Sequence, residues 1–209
     1  MLTARLLLAG YARGMFPMAV SAEDDELAWF EPDPRGILPL GQLHISRSLR
    51  RDLRRGGWSA RHAANFDAVV ERCARRDETW INRPLRLLYH ELMEMGHAHA
   101  LEVMRDGELA GGIFGVTLGG AYFGESMFST HASGSRMALL WMDLHLRCCG
   151  FRLFDTQYLT AHLASMGGIE VPRQIYRRML AQARGLHADI HAVPLADSQT
   201  LLQEITQTS

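Results

Sequence analysis

The stretch HALEVMRDGELAGGIFGVTLGGAYFGESMFS, residues His99 to Ser129, decides the fold. It holds three apolar runs separated by Asp106-Gly107 and Gly119-Gly120. Such glycine-containing pairs are hairpin signals, because their residues reach positive φ at little steric cost. The stretch therefore predicts three antiparallel strands in a meander. Glycines at 111, 112, 115, 119, 120 and 124 leave these strands bare, which suits close approach of a ligand or of another backbone. Side chains alternate along a strand, so Phe123, Glu125 and Met127 are expected on one face. A lone carboxylate between apolar neighbours is costly to bury unless something pairs with it. Two readings follow. Either Glu125 pairs with an arginine at an edge, or it is the polar point of an apolar pocket walled by Phe123 and Met127.

Upstream of the meander the pattern is mostly helical. ARLLLAGYARGMFP reads as a short helix stopped near Gly14 and Pro17. ELAWFEPDPRGILPL is strand-like, but Pro32, Pro34 and Pro39 assign it to loops or edge strands. HISRSLRRDLRRGGW reads as a helix capped by Ser46 or Ser48 and ended by Gly56-Gly57. NFDAVVERCARR and PLRLLYHELMEMG have the period of amphipathic helices, the second opened by Pro84 and closed by Gly96. Downstream, SRMALLWMDLHLRCCG predicts a long apolar helix with Ser135 as its cap. FRLFDTQYL predicts a strand and RQIYRRMLAQARG a late helix, before a polar, loosely patterned tail. The fold class is α+β, with a smaller, mainly helical part over 1–95 and a sheet-containing part over 96–209, the boundary falling softly near Gly96.

The chain has 209 residues, enough for one sizeable core or two small ones. Its formal net charge is -1, so contact with nucleic acid has to come from a local patch rather than from global charge. One such patch is present. Arg47, Arg50, Arg51, Arg54 and Arg55 fall at helical spacing on one face, while Ile45, Leu49 and Leu53 can dock the other. Like charges on one face repel, and phosphates would relieve them; the plainer reading is a solvated face. The three cysteines, Cys73, Cys148 and Cys149, make no disulfide framework and read as structural thiols in a reducing compartment. The leucine run near the N-terminus is broken by Gly10 and Arg13, too early for a secretory core or a membrane span. A soluble cytoplasmic protein without membrane contact is expected.

Further residues carry possible chemistry. On the strand FDTQYL, Asp155 and Gln157 share one face and Phe154 takes the other. The pair can accept protons or hold a cation, or belong to a solvated face. Trp80 can stack on a base or fill the core. His97 and His99 have no third ligand at a suggestive spacing, so no metal is expected. Ser126 is not read as a nucleophile, because GESMF lacks the second glycine of a nucleophile elbow.

Together the pieces GMFP, PDPRGIL, HISRSLRR, TWI, GHAH, LEV, GGIFGV, FGESMFS, DTQYL, HLASMGG and VPR resemble the leucyl/phenylalanyl-tRNA–protein transferase family, in family order over most of the chain. The resemblance implies transfer of Leu, Phe or, to a lesser extent, Met from aminoacyl-tRNA to proteins with N-terminal Arg or Lys, marking them for degradation by the N-end rule. It implies a C-terminal domain similar to the GNAT acyltransferase fold, with a mixed, largely antiparallel sheet and packed helices. No metal or dissociable coenzyme and a monomeric state are implied. Matched by motif, Glu125, Asp155 and Gln157 are the catalytic group, and Trp80 lies near the terminal adenosine. Ile113, Phe123, Met127, Leu139, Met142, Leu146 and Phe154 build the side-chain pocket, and the arginine-rich helix holds tRNA. Asp155 is expected either to take a proton from the attacking amine, through Gln157, or only to grip the cationic acceptor. Two rival functions share parts of the pattern. An acyl-CoA-dependent N-acyltransferase of the same fold would need a glycine-rich pyrophosphate loop where HASGSR stands. A non-catalytic tRNA-binding protein would need the arginines but no convergence of Glu125, Asp155 and Gln157.

Overall fold

The computed structural model describes residues 2–19, 26–75 and 79–207. In chain order the elements are α1 (Ala4–Tyr11), β1 (Phe16–Ala19), β2 (Leu27–Phe30), β3 (Arg35–Leu38), α2 (Arg47–Arg54), β4 (Trp58–His62), α3 (Phe66–Ala74), α4 (Arg83–Glu94), β5 (Ala98–Arg105), β6 (Glu108–Leu118), β7 (Ala121–Ser129), α5 (Gly134–Cys148), β8 (Leu153–Gln157), α6 (Ala161–Ser165), β9 (Ile169–Val171), α7 (Arg173–Arg184) and α8 (Ser198–Gln207). Side-chain caps start many of the helices. Thr3, Ser46, Asn65, Asn82 and Thr160 each accept a first-turn backbone N–H, satisfying donors that the helix cannot satisfy itself.

β1 and β2 form a two-stranded hairpin, and the other strands form one sheet in the order β4-β5-β6-β7-β8-β3-β9. The meander β5-β6-β7 is antiparallel, as its sequence demands, and turns at Asp106-Gly107 with φ of 52° and 85°. Only β7 and β8 run parallel, and their pairing ends at Phe123 opposite Asp155. The sheet is thus mixed and largely antiparallel.

Alternation along the strands feeds two apolar clusters, one on each face. Ala98, Ala100, Phe114 and Val116 pack with residues of α1, α3, α4 and α7. Leu101, Val103 and Ile113 pack with residues of α2, α5 and α8. No helix among the described residues is long and apolar enough to cross a membrane.

The structure differs from the sequence reading in several places. β3 is an interior strand, paired to β8 on one side and β9 on the other. Pro34 and Pro39 flank it rather than interrupt it, so no ladder N–H is lost. WSARH forms β4, and β3 and β4 complete the same sheet as the strands after residue 96. Ser135 does not cap α5; its N–H donates to Ser129 Oγ, and the helix begins at Gly134. The polar tail contains α8, whose Leu201 and Ile205 are buried. Cys73 and Cys149 are buried thiols, whereas Cys148 is exposed.

The segment leading to α8 is fastened by imidazoles. His191 lies between His62 of β4 and His99 of β5, at ring separations of 4.9 and 5.2 Å. His145 of α5 meets His62 at 5.2 Å and donates Nε2–H to Ile190 O at 2.7 Å. Trp141 donates to Ala196 O. Burial and the facing His191 push His99 down to about 4. Burial and neighbouring imidazoles lower His62, with His145 the larger contributor, and burial lowers His145 too. Folded pKa values below the ordinary histidine value mean that the unfolded chain binds more protons in this range. The stability these histidines contribute is therefore intact above pH ~6.5 and falls as the pH drops toward the folded values. Thermal unfolding followed from pH 7.5 to 4.5 should show this loss, and His191→Ala should flatten it. An unchanged pH slope in the variant would reject the assignment.

Candidate active site

The cavity forms where β7 and β8 part. Beyond the Phe123–Asp155 pair the strands stop sharing hydrogen bonds, and a cavity of about 680 Å³ opens between them. Its apolar lining comes from Ile113 of β6, Met127 and Phe128 of β7, Leu139 of α5 and Phe154 of β8, with Phe16, Met18 and Trp80 from the N-terminal half. Glu125, Ser126, Thr156 and Gln157 supply polar atoms, and Arg72 of α3 and its C-cap residue Arg75 also line it.

Glu125 enters the cavity through a β-bulge. In the β6–β7 ladder Phe114 faces Ser126 but Gly115 faces Gly124, which leaves Glu125 as the extra residue. A bulge shifts the alternation of everything after it. Phe123 consequently belongs to one apolar cluster and Met127 to the other, so the expectation that Phe123, Glu125 and Met127 share a face is corrected. Two bare positions make the bulge possible. A Cβ on Gly115 would meet the Tyr122 ring and Phe123 O, and one on Gly124 would meet the Phe154 ring at 2.7 Å. Here the bareness serves close packing of the protein on itself.

Glu125 is 8 % exposed, and its carboxylate is held by two tyrosines. Tyr11 of α1 donates to Oε1 at 2.8 Å, and Tyr89 of α4 donates to Oε2 at 2.7 Å. Burial raises the carboxyl to about 7, against the two tyrosine hydrogen bonds that lower it. The same burial, and the Glu125 charge, push the hydroxyls of Tyr11 and Tyr89 well above the ordinary tyrosine range, which keeps them donors. Glu125 thus lacks the edge arginine of one sequence reading; its partners are the two tyrosines, and it lines the cavity.

Gln157 stands next to it, in the left-handed region with φ of 59°. That conformation is uncommon for a residue with a Cβ and persists only where its surroundings hold it. Asp155 does the holding: its Oδ1 accepts the Gln157 backbone N–H at 2.9 Å. The Gln157 amide lies 3.5 Å from Glu125 Oε1. It is best satisfied with its nitrogen donating to Thr156 O and Gly124 O, 3.0 Å each, which turns the amide oxygen toward Glu125.

Asp155 itself does not line the cavity. It is fully buried, and Arg35 of β3 donates to it twice, from Nε at 2.9 Å and from Nη2 at 2.6 Å. Tyr176 of α7 donates to Oδ2 at 2.6 Å. Each oxygen therefore carries two hydrogen bonds, one of them from the backbone of Gln157, which does line the cavity. Arg35 also donates to Gly14 O at 2.8 Å, and its guanidinium lies between the rings of Phe16 and Tyr176.

Of the expected side-chain pocket, Ile113, Met127, Leu139 and Phe154 line the cavity. Phe123, Met142 and Leu146 do not; they are buried, Phe123 against Tyr11 and the other two in the α5 core. Trp80 is at the cavity, half-buried. On α2, Arg47, Arg51, Arg54 and Arg55 are exposed and Arg50 is half-buried, while Leu49 and Leu53 dock the helix. His97 Nδ1 and His99 Nε2 bond to backbone carbonyls of Thr117 and Gly96. Sequence reasoning missed Tyr11, Tyr89, Arg35, Tyr176, Arg72 and Arg75. Tyr11 and Tyr89 each sit on the apolar face of a helix, and only contacts spanning 114 and 36 residues reveal what their hydroxyls do.

Two family models match the chain: leucyl/phenylalanyl-tRNA protein transferase over residues 37–181, and the N-terminal domain of that transferase over residues 1–33. A leucyl/phenylalanyl-tRNA–protein transferase of Paracoccus denitrificans is 57 % identical over 208 residues, covering 100 % of this chain and 98 % of that protein. A transferase of the same name from Ruegeria pomeroyi is 50 % identical over 98 % of this chain and 97 % of its own length.

Breaking the Arg35–Asp155 pair leaves an uncompensated charge in the interior. Asp155→Asn and Arg35→Met should each lower the unfolding free energy by about 3–5 kcal/mol. Tyr176→Phe should cost about 1.5–3 kcal/mol, the range for a hydrogen bond to a charged group. Urea unfolding at pH 7 measures all three, and a wild-type midpoint in Asp155→Asn would contradict the assigned structural role.

Proposed function

The chain belongs to the leucyl/phenylalanyl-tRNA protein transferase family, and from that premise we propose that it moves a Leu or Phe group, and less readily Met, from aminoacyl-tRNA to the α-amine of cytoplasmic proteins beginning with Arg or Lys. The modified protein is thereby marked for degradation. The amine attacks the ester carbonyl carbon, a new C–N bond forms, and the C–O bond to the ribose breaks. The amine loses a proton and the ribose oxygen gains one. The ester is already activated, so positioning supplies much of the rate.

The lining residues divide this work. Ile113, Met127, Leu139 and Phe154 receive the donor's apolar side chain, whose burial contributes roughly 1.5–3 kcal/mol. Trp80 stacks on the terminal adenine, worth about 1–3 kcal/mol. Met142 and Leu146 back this wall from the α5 core and tune its shape rather than touch the donor. Glu125 takes the proton of the attacking amine. An α-amine has a reference pKa of about 7.7–8.0, within about one unit of a carboxyl near 7, so the transfer is nearly balanced. Gln157 directs its amide oxygen at the same amine, and Asp155 positions Gln157. The exposed arginines of α2 offer a surface for the tRNA body.

The single observation that carries the reading is the bulged Glu125, buried under two tyrosine hydroxyls in an apolar-walled cavity and poised near neutral pH. Incubation with Leu-tRNA and an Arg-starting peptide should transfer label to the peptide; transfer from acetyl-CoA instead would refute the donor. The kcat should rise with pH through about 7, because only the ionised carboxylate accepts the proton. Glu125→Gln should lower kcat by about 10²–10⁴-fold and remove that limb. Tyr89→Phe should move the limb to higher pH, since the hydroxyl it loses holds the carboxyl down. An unaltered profile in Glu125→Gln would sink the proton-accepting role.

A further inference from the structure

The reading above gives a place to the donor's side chain, ester and adenine, but none to the phosphates that follow the adenosine. The arginines of α2 do not supply one, because none of them lines the cavity. Two other arginines do. Arg72 and Arg75, near the C-terminal end of α3, line the same cavity as Trp80.

Their side chains differ in state. The Arg72 guanidinium lies over the ring of Phe128 at 5.7 Å, on the cavity wall. Attraction to the ring face holds the cation there without using its N–H groups, which are left for an acceptor. Among the described residues, no carboxylate or carbonyl accepts a hydrogen bond from it. Arg75 donates Nη2–H to Glu71 Oε1 at 2.9 Å, one turn back, with both side chains well exposed. An exposed pair of this kind is worth little and exchanges readily for a stronger acceptor. A guanidinium over an aromatic ring beside a second, exposed guanidinium suits a phosphodiester, which accepts bidentate N–H···O bonds from arginine.

We propose that Arg72 and Arg75 hold the phosphodiester groups of the donor RNA immediately 5′ of the nucleoside that enters the cavity. The proposal rests on the transferase reading. It assigns the arginine face of α2 and this pair to different parts of the RNA: the body for the first, the 3′-terminal strand for the second.

The test compares two donors in wild type and in Arg72→Ala/Arg75→Ala: Leu-tRNA, and leucyl-adenosine, which has no phosphate. For Leu-tRNA the double variant should raise KM by about tenfold or more at unchanged kcat, the size expected for losing hydrogen bonds to charged groups. The slope of log Kd for Leu-tRNA against log salt should become shallower by about 1.4, two single-strand phosphates. KM for leucyl-adenosine should stay at the wild-type value. Arg72→Lys/Arg75→Lys should keep the salt slope and recover only part of the KM. Unchanged KM and salt slope for Leu-tRNA would overturn the proposal. So would an equal loss with leucyl-adenosine, which would make the pair a shaper of the cavity. If wild type binds Leu-tRNA but transfers nothing, the transferase reading fails, and the salt slopes still decide the role of the arginines.

Discussion

The buried pair of Arg35 and Asp155 is the constraint on which the rest of the site depends. Both side chains are fully removed from water, an arrangement that is stable only when hydrogen bonds compensate for the lost hydration. Here Asp155 accepts from Arg35 twice, from Tyr176 and from the Gln157 backbone, while Arg35 also reaches Gly14 O. One cluster thereby ties together the turn after α1, strands β3 and β8, and helix α7. The cluster also sets the electrostatics next door. Asp155 raises Glu125 and Arg35 lowers it, each by less than burial and the two tyrosine hydrogen bonds do. Without the guanidinium, two buried carboxylates would oppose each other, and Gln157 would lose the anchor for its left-handed backbone.

The second organising feature is the insertion of Glu125 as an extra residue in β7. The bulge spends one residue to place a carboxylate under hydroxyls from α1 and α4, while Met127 crosses to the face of the α5 core. The parting of β7 from β8 one residue earlier gives that carboxylate a cavity to face. Two local irregularities, the bulge and the left-handed Gln157, therefore stand side by side where β7 and β8 part. Functional sites commonly concentrate such departures, because regular pairing leaves no side chain free to meet a substrate.

Much of the framework was legible. The glycine-containing pairs at 106–107 and 119–120 place the hairpin turns, and the capping residues and helical period find α1 through α5 and α7. The quoted motifs were enough to connect Glu125, Asp155 and Gln157 with one another and with a transferase family. Other elements escaped for identifiable reasons. WSARH is short and half polar, with a weak alternation of its own, and becomes β4 because β5 offers a ladder. PDPRGIL looks like an edge because of its prolines, yet both fall just outside the paired residues. The apolar residues of the tail follow no sustained period, and its helix is held by Leu201, Ile205 and the histidine contacts rather than by a strong pattern.

What the sequence by itself determined is the local grammar: where strands turn, where helices begin, which residue types carry chemistry, and to which family their order belongs. These follow from steric preferences and short-range hydrogen bonds, which are written within a few neighbouring residues. Only the tertiary structure decided which face each side chain takes after the bulge. It alone decided that Asp155 is sealed by Arg35 and that Glu125 is roofed by Tyr11 and Tyr89. Those outcomes depend on contacts across 120, 114 and 36 residues. Burial then converts an ordinary glutamate into a group that titrates near 7, because the cost of charge in an apolar interior is a property of the surroundings and not of the residue.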